Sequence, residues 1–173
     1  HEDSGASESS IAWVLEQTAT REDAPWVVDA CTRHWPLIPL AERLDPEATA
    51  VSLAAVWQAH AGSKLVPPGL IHGIIRGRVR PLYALILEQI AEKQINHHAN
   101  ALDMDKVVSE EKSDELESAF RTALARCLRL KLLQQDTYEL RRISQVALRH
   151  GVSEGIEGLV VADAANPVML RAD

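Results

Sequence analysis

The chain has 173 residues, 46% hydrophobic and 25% charged, which suits one globular domain large enough to need no disulfide framework. Its 25 acids outnumber 18 lysines and arginines, and the net charge of −7 disfavours general affinity for nucleic acid. The longest apolar run, Leu82 to Leu87, is far short of the ~20 residues that cross a bilayer, and Cys31 and Cys127 are too isolated for a thiolate zinc site.

Residues 1–8 are small, acidic and polar, which predicts a disordered tail. The segment has neither a starting Met nor the basic and apolar regions of a signal peptide, as expected of a piece of a larger intracellular protein. A helical domain is predicted over 9–165. Ser9 or Ser10 caps a short helix with Ile11, Val14 and Leu15, and Asp23 with Pro25 starts a second with Trp26, Val27, Ala30 and Cys31. Trp35 to Leu40 holds two prolines and reads as extended, then one helical turn to Leu44. The clearest helix follows. Asp45 can accept from the first free N–H groups, Pro46 tolerates the first position, Glu47 meets the positive end of the dipole, and Gly62 can close it.

After the Val66 to Gly69 turn, a short helix runs to about Gly77. Pro81 then opens a helix to about Ala101. Its first half is apolar on nearly every side (Leu82, Tyr83, Leu85, Ile86, Leu87, Ile90), so it is expected at the centre of the domain. Residues 103–113 read as an acidic loop. Ser113 opens a helix with Leu116, Phe120, Ala123, Leu124, Cys127 and Leu128 on one stripe. Thr137 caps the next, with Leu140, Ile143, Val146 and Ala147 inward and Gly151 at its end. Ser153 caps a last helix to about Val161, and 166–173 forms an extension. The predicted class is a single all-α domain of six to eight helices packed around the helix at about 81–101.

Chemistry-bearing residues are sparse. His97 and His98 stand beside Asp103 and Asp105, but adjacent histidines diverge by about 100° on a helix, and the spacing matches no metal motif. Cys127 sits at a core position, where a thiol is inert. GLIHGIIRG, from Gly69 to Gly77, resembles no phosphate cradle. Its three glycines four apart predict close packing on the central helix, with homodimerisation through that face as an alternative. No cofactor, metal or catalytic residue is assigned, and the protein is read as non-enzymatic.

Charge is segregated along the chain. Asp103 to Glu117 carries seven acids against Lys106 and Lys112, whereas Arg121 to His150 carries seven cations against Asp136 and Glu139. Arg76, Arg78 and Arg80 share a face if extended. Arg121, Arg126 and Arg129 share a helix flank, and Arg141, Arg142 and Arg149 extend it on the next helix, giving a basic ridge. Three readings compete: a solvated face balancing the acidic stretch, a docking surface for an acidic or amphipathic protein segment, or a phosphate-binding surface for nucleic acid. The last lacks an aromatic stacking platform. Trp13, Trp26 and Trp57 fall at apolar helical positions and are expected in the core. Trp35 either plugs the domain or anchors a partner. The function expected is a scaffold or adaptor domain that binds other proteins, with nucleic-acid binding as the alternative.

Overall fold

Helix punctuation sets the turns of the computed structural model, which describes residues 12–61, 66–92, 97–134 and 137–165. The first α-helix covers residues 12–18 and is α1. The others are α2 (Ala24–Cys31), α3 (Ile38–Leu44), α4 (Pro46–Ala61), α5 (Pro68–Gly77), α6 (Tyr83–Glu92), α7 (His97–Glu111), α8 (Asp114–Gln134), α9 (Thr137–Arg149) and α10 (Glu154–Ala165). Among the described residues there is no strand, and the chain is all-α. No helix among them is long and apolar enough to cross a membrane. Contacts cluster in two compact units, His1–Tyr83 and Ala84–Asp173. The expectations for Ser9, Ser10, Ile11, Gly62, the 1–8 tail and the 166–173 extension lie outside the described residues.

In the first unit, α3 packs against α2, α4 and α5. Its Ile38, Leu40 and Ala41 are buried, as are Leu53 and Trp57 of α4. Each large aliphatic side chain withdrawn from water contributes about 1.5–3 kcal/mol. The Asp45 cap forms as the sequence predicts, Ala48 N–H donating to Asp45 Oδ1 at 3.0 Å. The Trp35 segment differs from expectation: it is a 3₁₀ turn over Trp35–Leu37 leading straight into α3, not extended chain. Pro36 and Pro39 each stand second in their elements, within a first turn whose N–H groups have no helical partner to lose.

The glycines of α5 do serve close approach, but to a different neighbour. A β-carbon at Gly69 would lie 2.6 Å from Trp35 Cδ1, one at Gly73 would lie 2.6 Å from Ile38 Cδ1, and one at Gly77 would lie 2.9 Å from Ile38 Cγ2. α5 therefore seats against the Trp35–Ile38 corner rather than the helix after Pro81. The face offered for homodimerisation is filled from within. Trp35 is half-buried over Gly69, which fits the plug. Because Gly77 is needed for packing, the left-handed position that ends α5 falls to Arg78, at φ 60°. A non-glycine residue there costs about 1–2 kcal/mol.

Two tryptophans expected in the core are on the surface. Trp13 is 64% and Trp26 46% exposed, while Trp57 is buried. The buried stripe of α2 is Ala24, Val27, Val28 and Cys31, and Trp26 lies outside it. Its indole N–H donates to Asp23 Oδ1 at 3.4 Å.

In the second unit α9, which meets α7, α8 and α10, has the central place expected of α6; α6 buries Ile86 and Ile90 completely but leaves Leu85 half-buried. Its extent does not match. α6 ends at Glu92 and α7 begins at His97, so the helix expected to about Ala101 is two elements. α7 also corrects the acidic loop: Ala101, Met104, Val107 and Val108 are buried at helical spacing while Lys106, Ser109 and Glu110 face solvent. α8 and α9 bury the stripes expected of them, apart from half-buried Leu116. Ser113 Oγ accepts from Leu116 N–H at 3.3 Å, capping α8.

α9 touches α7, α8 and α10. Its buried face adds Ser144 to Leu140, Ile143, Val146 and Ala147. α10 approaches closely because Gly155, Gly158 and Ala162 line its buried side. A β-carbon at Gly155 would lie 2.8 Å from the Ser144 carbonyl oxygen, and one at Gly158 would overlap the Ser144 hydroxyl. Between α8 and α9, Lys131 and Glu139 form a buried ion pair.

Gly158→Ala is expected to lower stability in urea unfolding by about 1–3 kcal/mol, because the added methyl forces α10 away from α9. Ser144→Ala in the same chain should return part of the loss.

Candidate functional site

α9 ends in a turn that aims one side chain inward. Gly151 N–H donates to the Leu148 carbonyl at 3.1 Å and Val152 N–H to the Ala147 carbonyl at 2.9 Å, with Gly151 left-handed at φ 69°. This is the Schellman arrangement. It places His150 at the last helical junction with a side chain only 7% exposed. There Nε2 lies 2.7 Å from Asp105 Oδ1 of α7, and Nδ1 lies 2.8 Å from Glu117 Oε1 of α8. The edge of the ring meets Phe120 at 5.0 Å between centroids. Arg149 adds a hydrogen bond to Asp105 Oδ2 at 2.5 Å.

Three helices therefore meet at one imidazole. Ionised carboxylates only accept hydrogen bonds, so both contacts are made when each ring nitrogen carries a proton. Burial by itself would raise the Asp105 carboxyl, but hydrogen bonds and positive charge from Arg149 and His150 outweigh it and hold the carboxyl below its ordinary value. Both ring nitrogens already face carboxylates, so the group is built to tie helices together rather than to take a proton from a substrate.

The sequence singled out Asp105 only as a neighbour of His97 and His98. Asp103 lies 3.8 Å from Lys106 Nζ, and the side chains of His97 and His98 lie outside the described residues. No group of three or more His, Cys, Asp and Glu suited to a metal occurs among the described residues. Burial pushes both thiols up to about 12. At Cys31 the charge of Asp29 adds to the effect; at Cys127 Lys131 opposes it and Glu139 reinforces it.

The arginines fall into three groups. Arg76 and Arg80 are exposed and Arg78 half-buried, but a helix end, a left-handed residue and a 3₁₀ turn separate them, so no extended shared face forms. Several members of the ridge meet acids or carbonyls of the second unit. Arg129 Nη2 lies 2.7 Å from Glu154, Arg141 Nη1 3.6 Å from Asp163, and Arg149 reaches Asp105. Arg121 donates to the Gly151 carbonyl at 3.5 Å, and Arg142 lies over the Tyr138 ring at 5.1 Å. Balance of the ridge by acids was one of the three sequence readings, and these pairs fit it.

Arg126 and Arg129 also come together with apolar surface. With Ala91 of α6 and Leu130 of α8 they line an open groove of about 440 Å³. Leu130 is 38% exposed there. A guanidinium has five N–H donors, so Arg129 retains several beyond those facing Glu154. The chain matches no protein-family model, no curated protein and no solved structure.

Asp105 supports folding above about pH 4, and that support is lost as pH falls through its lower native value. Asp105→Asn should therefore destabilise the protein at pH 7 by about 1–3 kcal/mol. The gap from the parent in urea midpoint should narrow as the pH falls below the carboxyl's ordinary value of 3.8.

Proposed function

We propose that this chain is a non-catalytic protein-interaction domain, a scaffold or adaptor, and that the α6–α8 groove receives an acidic segment bearing apolar side chains. The observation that carries the reading is the chemistry of the groove. Ala91 and Leu130 offer apolar surface, while Arg126 and Arg129 supply planar donors suited to carboxylates. Apolar anchoring beside charge-assisted hydrogen bonds is how grooves between helices take amphipathic segments. Two buried thiols outside any disulfide suit a reducing compartment, so an intracellular location belongs to the same proposal.

Nucleic-acid binding fits less well. Arg129, Arg141 and Arg149 face Glu154, Asp163 and Asp105, which reduces the positive field that a phosphate backbone would meet.

Affinity capture from a cell lysate should yield protein partners that survive nuclease and change little between about 50 and 200 mM salt. Arg126→Glu and Leu130→Asp, each at an exposed position, should abolish capture while leaving the thermal transition in place. Capture lost to nuclease, with a steep linear dependence on the logarithm of salt, would assign the arginines to phosphate instead.

A further inference from the structure

The groups around His150 form a balanced set. Asp105 approaches from α7 and Glu117 from α8, Arg149 lies on α9, and Arg121 of α8 donates to the carbonyl of the next residue, Gly151. On α10, Glu154 is turned elsewhere: it accepts from Arg129 and from the Ser153 hydroxyl. With His150 protonated, two cations, Arg149 and His150, face two carboxylates. Removing one proton from the ring leaves a bare nitrogen lone pair against a carboxylate oxygen at under 3 Å, around a ring that is only 7% exposed although Glu117 itself is 37% exposed. An acceptor facing an acceptor repels, and burial strengthens that repulsion.

We propose that His150 is a pH-operated latch that fastens α7 to the α8–α9 pair and releases it when the imidazole loses its second proton. The latch has two limits. On the acid side it weakens as Asp105 takes up a proton, and on the alkaline side as His150 gives one up. α7 is the element that should respond. It reaches the cluster through Asp105, which faces both His150 and Arg149, so deprotonation of the ring leaves α7 with the Arg149 contact alone. α8 and α9 have an independent tie in the buried Lys131–Glu139 pair.

The test combines two readouts on the intact chain across a pH series. Nitrogen-15 shifts of the His150 ring report its protonation, and amide hydrogen exchange, corrected for intrinsic pH dependence, reports the opening of α7. As the ring deprotonates, exchange along Ala101–Val108 is expected to accelerate about ten- to hundred-fold, the loss of one hydrogen bond to a charged group, while α10 changes little. His150→Gln keeps a donor without the charge, and should remove the alkaline acceleration. A ring that is already neutral while α7 is fully protected would overturn the proposal. So would α7 protection that ignores the ring's titration, or an alkaline acceleration that persists in His150→Gln. The parent protein alone supplies the first two outcomes, so the test stands even if the variant fails to fold.

Discussion

A helix enclosed by three neighbours leaves its side chains little choice of size, and α9 imposes that constraint on the second unit. α10 can lie along it only because Gly155 and Gly158 carry no side chain where Ser144 and Leu148 stand. α8 meets it through aliphatic residues and one buried ion pair, Lys131–Glu139. Dense packing transmits a misplaced methyl to its surroundings, because interiors hold few voids that could absorb it. In the first unit α3 has the corresponding place, with the α5 glycines making room for Ile38.

Much of this was legible wherever a helix carried both punctuation and a regular stripe. Asp45 with Pro46 marked the start of α4, and Ser113 marked that of α8. The inward faces of α8 and α9 follow directly from residues spaced three and four apart. α7 was hidden by its own composition. Asp103, Asp105, Glu110 and Glu111 resemble loop chemistry, and the spacing of Ala101, Met104, Val107 and Val108 becomes plain only when those acids are set aside. Trp13 and Trp26 misled for the opposite reason. Size and apolarity suggested burial, but a short helix with a narrow buried stripe leaves large side chains outside it.

The His150 cluster could not be found by motif, because its members come from three helices and lie 33 and 45 positions away from the histidine. One local signal did exist. A histidine just before a glycine at the end of a strongly amphipathic helix sits where the chain reverses, with its side chain directed by the turn. The segregation of charge was the complementary signal at the level of the whole chain. Arg149 meets an acid of α7, while Arg129 and Arg141 meet acids of α10, so part of the apparent basic ridge is internal balance. Arg126 and Arg129 also border apolar surface, in the groove with Ala91 and Leu130.

Each unit encloses one cysteine, Cys31 or Cys127, whose thiol is raised to about 12 by its surroundings. Near neutral pH such a sulfur reacts only after its shell has parted and solvent has restored ordinary acidity. Alkylation at one position or the other is thus a clock for breathing of that half of the chain alone, and the protein carries both clocks in its native sequence.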